Sequence, residues 1–563
     1  MVSIILHTHL PYVVHHGTWP HGSDWLFEAM AECYLPLLSM CDRLISEGIR
    51  PGITFDLSPV VCEQLAHPDV PAMFERYCRE HADLAAGDRA TLQAEHADPR
   101  LIGLASFWEA WYAERLRDYT DVFQRDVIGA FRRLQDAGAI ELMTCGATHG
   151  YFPLLAEDSS IELQVRLAIA AHERHFGRRP RGIWLPECAY RPAYPWRTLM
   201  PVSAYSIARQ RKGIEEIITA NGLEFFVTDE GALSGARPLG VVGPDGRRTG
   251  YGETYGTARQ LLDERSPLHV YRVGDVSHGS TTAVLTRHTQ IAMQVWSGRT
   301  GYPADPDYLD FHKKYYRSAK RYWRITDVTA DMAFKDAYEP VWASQRVIDH
   351  AAHFVRALEV TIGHRRDTTD AEVSVCLPFD TELFGHWWFE GPAFLEHVLR
   401  GIHMSPTIHA QTASETVDRS RASCLVQLPE SSWGRNGTDE VWMNAQTQWT
   451  WEREYQIEHR LQLLREKHHR SSWDATMHRI MHDLYRELLL LQASDWQFLI
   501  TTQTAGEYAS MRFYHHAADV DRLCDMAERY MVGRVLSDDD AAYLDEVERR
   551  DGIFPELLDV IDR

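Results

Sequence analysis

The chain has 563 residues, 45% of them hydrophobic, and a formal net charge of -22. That length exceeds one ordinary core, so two or more domains, or one large barrel with insertions, are expected. The acidic balance and the lack of a contiguous basic stretch argue against nucleic acid or an anionic membrane surface as partners, whereas a neutral polymer is unaffected by it. Nine cysteines, an odd number with no CxxC pair, fit reduced thiols in a cytoplasmic protein better than a disulfide framework. The opening Met-Val-Ser-Ile-Ile-Leu-His reads as a strand and not as a leader, and no apolar stretch approaches a membrane span.

In chain order, Ile-Ile-Leu-His-Thr-His closes a first buried strand with His7 and His9. A helical pattern over 25–46 follows, then a short strand over 52–57. Residues 60–137 hold too much helix for one crossover and are read as a helical insertion. A third strand over 140–145 runs into Gly-Ala-Thr-His149-Gly. A helix over 161–175 leads to Gly-Ile-Trp-Leu-Pro-Glu, a strand that stops at Glu187. A helix over 217–221 and a strand over 225–228 come next. The glycine-dense stretch 231–256 fits no packed element and is read as a long surface loop, either a lid or a disordered insert. Val-Ser-Val-Cys-Leu-Pro-Phe-Asp then stops at Asp380, before an aromatic run to Trp388. Strand signals fade after about 420, and long helical patterns cover 449–468 and 473–491. The expected division is a catalytic unit over 1–405 and a helical C-terminal domain over 406–563.

Strand after strand thus hands a polar residue to the loop at its C-terminal end, where parallel α/β sheets keep their chemistry. Taken singly, Glu187 and Asp380 read equally well as helix-capping acids, and most of the aromatics as core. Taken together with His7, His9 and His149, they suggest a site. Two carboxylates at one mouth suit a retaining glycosidase, in which they stand about 5–5.5 Å apart and one attacks while the other shuttles a proton. The same histidines with a late aspartate also suit a zinc-type hydrolase, so both chemistries stand at this point.

Five segments occur in order: His7-Thr-His9-Leu-Pro-Tyr12, Gly146-Ala-Thr-His149-Gly150, Trp184-Leu-Pro-Glu187-Cys-Ala-Tyr190, Phe379-Asp380-Thr-Glu-Leu-Phe-Gly-His-Trp-Trp388 and Ala493-Ser-Asp495-Trp496. They resemble the five conserved regions of glycoside hydrolase family 57, most closely its 1,4-α-glucan branching enzymes. The resemblance implies an incomplete (β/α)7 barrel with a helical insertion and a helical C-terminal domain. It implies Glu187 as nucleophile, Asp380 as general acid/base, and a sugar-binding wall of His7, His9, His149 and Asp495, with no metal and no cofactor. Gln294-Val-Trp296-Ser297 and Ser432-Trp433-Gly434, with Trp442 nine positions on, resemble segments of the branching subgroup. Trp296, Trp433 and Trp442 would then contact the glucan, as would Trp388 and Trp496 within the shared regions. Tyr251 and Tyr255 are the candidates for a loop tyrosine that closes over the site in that subgroup. The implied partner is an α-1,4-glucan, met by a monomer or homodimer. An α-amylase or 4-α-glucanotransferase of the same family, a metal-dependent hydrolase and a catalytically dead glucan-binding protein are the alternatives.

Overall fold

A computed structural model describes all residues except 244–246, 275–281, 421–423, 468–469, 471–472 and 562–563. Its strands are β1 (Val2–Thr8), β2 (Thr54–Leu57), β3 (Glu141–Met143), β4 (Gly182–Trp184), β5 (Tyr194–Trp196), β6 (Arg209–Arg211), β7 (Phe225–Thr228), β8 (Arg237–Val242), β9 (Arg248–Gly250), β10 (Tyr271–Val273), β11 (Thr282–Thr286), β12 (Val375–Asp380) and β13 (Cys424–Gln427). Strands β12, β1, β2 and β3 form one parallel sheet, and β4, β7 and β11 lie parallel in a second. Single parallel bridges, Thr144 to Ile183 and Arg287 to Cys376, join the two sheets at both seams. The result is a ring of seven parallel strands. Every residue of β1 is buried, as a strand covered on both faces requires, and this explains the continuous apolar run Ile4–Leu6 at its centre.

The ring is thin where β11 divides its partners: its first residues pair antiparallel with β10, and only Arg287, just past its end, bridges to β12. From β10 the second sheet continues through β13 and β8 to β9, outside the ring. Here the structure corrects the reading of 231–256 as a loop without packed elements. The stretch folds into a short helix (Glu230–Ser234), the β8–β9 hairpin and a turn at Tyr251–Glu253, while 244–246 lie outside the described residues. Strand β13 lies beyond the expected boundary at 405 and pairs with both β10 and β8.

Between β2 and β3 lie the helices Pro59–Leu65, Val70–Ala94, Pro99–Arg117 and Val127–Asp136. Asp98 starts the third of these by accepting the N–H of Arg100, with proline at the first helical position. The C-terminal region is helical, with Gln448–Lys467, Ala475–Leu491, Asp495–Thr502, Gly506–Met531 and Asp538–Arg550 the main elements. Residue 468, the expected end of the first, lies outside the described residues. One buried apolar cluster runs from Val2 and Leu6 of β1 to Leu484, Trp496, Phe513 and Leu557, so barrel and C-terminal helices share a core. Among the described residues no helix is long and apolar enough to cross a membrane.

Candidate active site

Each strand of the ring places a polar side chain at or just past its C-terminal end: His7 and His9 from β1, Asp56 from β2, His149 after β3, Glu187 after β4, Asp229 after β7, Arg287 after β11, and Asp380 on β12. In register, His7 stands between Asp56 and Asp380 on the neighbouring strands.

Glu187 is presented by a sharp turn. Its φ is 61° and that of Cys188 is 49°, left-handed conformations that a non-glycine residue holds only when its surroundings enforce them. The enforcement comes from across the chain, where the Trp433 N–H donates to the Glu187 carbonyl at 3.1 Å. The Trp433 indole Nε1–H donates to Glu187 Oε2 at 2.6 Å, and Ser494 Oγ lies 3.4 Å from Oε1. Burial and the Asp495 charge push the Glu187 carboxyl up to about 7, against the pull of the Trp433 and Ser494 hydrogen bonds and of His9.

Asp380 has no hydrogen-bond donor to its carboxyl among the described residues. Burial first, then the charges of Glu382 and Glu187, raise it well above the carboxylate range, and Arg287 opposes them only in part. That arginine is tied to Asp229 in an ion pair. Two carboxylates in electrostatic contact therefore differ: one is hydrogen-bonded and the more easily ionised, the other is unpartnered and stays protonated. Such a pair separates into base and acid.

The histidines form a stacked set. His9 lies 3.8 Å from His149 between ring centroids, and His7 stacks on Trp184 at 4.6 Å. His9 Nε2 meets Asp495 Oδ2 at 3.0 Å and its Nδ1 meets Ser58 Oγ at 3.0 Å. His7 Nε2 and His149 Nε2 are 3.0 Å apart, and His149 Nδ1 lies 2.8 Å from Ser494 Oγ. Burial, reinforced by neighbouring histidines, holds His7 and His149 well below their usual range and keeps both neutral. His9, His149 and Asp495 bring one ligand atom each to within 4.8 Å of one another, a spacing compatible with a metal, but these nitrogens are already engaged in the bonds just described.

The predicted residues His7, His9, His149, Glu187, Trp433 and Asp495 thus meet in one hydrogen-bonded and stacked group, and Trp296, partly exposed, extends it at 5.7 Å from Trp433. Three tryptophans require correction. Trp388, Trp442 and Trp496 are 2%, 1% and 0% exposed and present no face to a sugar. Trp388 packs on Tyr308 and Phe394, and its neighbour Trp387 is the exposed member of the pair. Trp442 stacks on Tyr151 and underlies Gly434, so it supports the turn that carries Trp433. Trp496 donates its indole N–H to Leu490 at 2.9 Å beneath Arg512. Tyr251 is not a free loop tyrosine: Arg259 covers its ring and its hydroxyl bonds Asp263, whereas Tyr255 is 81% exposed. The sequence reading passed over Asp56, Ser58, Asp229, Arg287 and Ser494. Asp56 and Asp229 follow the same strand-then-acid pattern as Glu187 and were legible by it. Ser494 carries no such signal.

A profile described as Glycosyl hydrolase family 57 matches residues 3–429, and one described as 1,4-alpha-glucan branching enzyme, C-terminal, matches 455–560. The chain belongs to glycosyl hydrolase family 57. Within the family, a 1,4-alpha-glucan branching enzyme of Thermococcus kodakarensis is 37% identical over 98% of this chain and 77% of its own length. The crystal structure of a GH57-type branching enzyme from Pyrococcus horikoshii matches with a TM-score of 0.87 at 36% identity, covering 100% of this chain and 96% of that one. An alpha-amylase of Thermotoga maritima matches with a TM-score of 0.77 at 26% identity, over 100% of this chain and 99% of that one. The fold is that family's (β/α)7 barrel with a helical C-terminal region.

Proposed function

We propose that the chain is a retaining 1,4-α-glucan branching enzyme, which cleaves an α-1,4 bond and rejoins the released chain end to a 6-hydroxyl as an α-1,6 branch. The observation that carries this reading joins comparison to geometry. The segment that matches a branching-enzyme C-terminal profile packs its helices against the barrel, and the residues leading into its core place Ser494 and Asp495 beside Glu187 and His9.

The ionised Glu187 attacks the anomeric carbon while Asp380, held protonated, gives its proton to the departing 4-oxygen. Asp380 is then the base that takes the proton from an incoming 6-hydroxyl as the glycosyl–Glu187 ester is displaced. Asp495, bonded to His9, is positioned to hold hydroxyls of the donor sugar with His149 stacked behind that histidine, and the Trp296 and Trp433 indoles offer faces on which sugar C–H surfaces stack. Transfer instead of hydrolysis requires that the acceptor sugar, not water, occupy that aromatic wall. We place the activity in glycogen-type metabolism within a reducing compartment, a setting supported by nine free, buried cysteines.

Incubation with amylose, then debranching and chain-length analysis, tests this. New α-1,6 linkages with little reducing sugar are expected. Reducing-sugar release without new branches would instead assign the chain to hydrolysis, as in the Thermotoga relative. Activity that disappears with a chelator and returns with zinc would revive the metal-dependent reading.

A further inference from the structure

Behind Glu187 runs a continuous line of hydrogen-bonding groups that the double-displacement scheme does not use. Asp56 Oδ2 contacts His7 Nδ1, His7 Nε2 contacts His149 Nε2 at 3.0 Å, His149 Nδ1 contacts Ser494 Oγ at 2.8 Å, and Ser494 Oγ faces Glu187 Oε1 at 3.4 Å. The last link is the longest, and hydrogen bonds at catalytic groups often tighten when substrate binds. Resting on the reading of Glu187 as nucleophile, we propose that Asp56, His7, His149 and Ser494 form a one-way chain of donors aimed at Glu187, with Asp56 the positioning residue that sets its direction.

The direction follows from counting protons. An ionised Glu187 only accepts, so the single Ser494 hydroxyl proton points at it. Ser494 Oγ must then accept from His149 Nδ1–H. A neutral His149 has its Nε2 bare and accepts from His7 Nε2–H, which leaves His7 Nδ1 bare in turn. Only a protonated Asp56 can donate to it. An ionised Asp56 reverses every link and completes the chain only if Glu187 carries the proton. One proton is therefore shared between Asp56 on β2 and Glu187 in the turn past β4, and with every link made, ionising the nucleophile requires Asp56 to be an acid.

The surroundings favour that arrangement. Asp56 is fully buried, and its Oδ1 has no hydrogen-bond partner among the described residues, which suits a carboxylic acid and penalises an anion. Burial raises its carboxyl well above the ordinary range, with no cation among the described residues to oppose it. The groups facing it are His7 from β1, Cys145 beyond β3 and Cys62 from the following helix. Glu187 is faced by His9 from β1 and Asp495 from the C-terminal helices, by Asp380 from β12, by Tyr151, and by the thiols of Cys145 and Cys188. It alone has a second donor in Trp433.

Two substitutions and one spectrum decide the matter. Asp56→Asn keeps a donor to His7 Nδ1 and cannot ionise, so kcat/KM on amylose is expected within about threefold of wild type, with the acidic limb of its pH profile unmoved. Asp56→Leu removes the donor and is expected to move that limb up by about one pH unit, leaving the alkaline limb in place. An Asp56→Asn variant as damaged as Asp56→Leu would show that an ionised Asp56 is what matters and would overturn the proposal. Nitrogen-15 spectra of the wild-type histidines need no variant to fold: His7 protonated at Nε2 and His149 at Nδ1 support the chain, and the opposite pair of tautomers overturns it. These readouts separate from the parent reading, because Glu187→Gln that retains branching would remove the nucleophile assignment whatever the tautomers show.

Discussion

The left-handed turn at Glu187 holds a carboxylate where burial opposes its charge. Its raised pKa has two consequences with definite signs. A carboxyl that titrates at 4.5 when unfolded and at about 7 when folded costs nothing below 4.5 and costs roughly 3 kcal/mol once pH passes above about 7. Glu187→Gln is therefore expected to abolish amylose turnover while the thermal midpoint at pH 8 stays equal or rises. Asp380→Asn is expected to do the same, and a large fall in either midpoint would show that the carboxyls serve the fold instead. Catalysis also needs Glu187 ionised, so kcat/KM is expected to rise through about pH 7, with the raised Asp380 carboxyl, needed in its protonated form, setting the alkaline limb. Trp433→Phe removes a hydrogen bond to the charged form, and the acidic limb is expected to move up by roughly one pH unit. An unmoved limb would mean that the indole N–H does not stabilise the ionised carboxyl.

Turns and strand ends, more than helices, decide where these groups stand. Gly385 has φ 120°, and a Cβ there would lie 1.8 Å from the Glu32 carbonyl. The turn after Asp380 thus crosses the π-helical turn Met30–Tyr34 at Glu32 with no room for a side chain. Gly385→Ala is expected to lower stability by about 3 kcal/mol or more, read from denaturant unfolding. A loss below about 1 kcal/mol would show that the turn can relax. The same turn explains why the sequence could not tell Trp387 from Trp388: adjacent tryptophans there point oppositely, one outward and one onto Tyr308 and Phe394. Strands β1, β4 and β12 were legible because burial on both faces leaves an unbroken apolar run. The β8–β9 hairpin was not, because its glycines imitate a loop. Gly240 sits at φ 138°, with a Cβ position 2.0 Å from the Thr249 carbonyl, so glycine serves close strand approach there and not flexibility. Strand β11, Thr-Ala-Val-Leu-Thr, lacks the Leu-Pro-acid ending that marked β4 and β12.

At the scale of the whole molecule, the barrel mouth is completed by the chain's distant C-terminal part. Ser494 donates its N–H to the His149 carbonyl at 3.0 Å, and Arg512 reaches the Tyr12 carbonyl at 2.7 Å. With one apolar cluster spanning both regions, calorimetry is expected to show a single unfolding transition, and two resolved peaks would contradict the shared core. No local sequence signal gives such contacts, which is why Asp495 was reached by motif resemblance and Ser494 not at all. Unequal roles for the carboxyls of Glu187 and Asp380 are the centre of the proposed mechanism. A fluorinated α-glucosyl fluoride that accumulates the covalent intermediate, followed by peptide mass mapping, tests it most directly. A sugar ester on the peptide containing Glu187 is the expected result; a label on Asp380, or none together with inverted products, would contradict it.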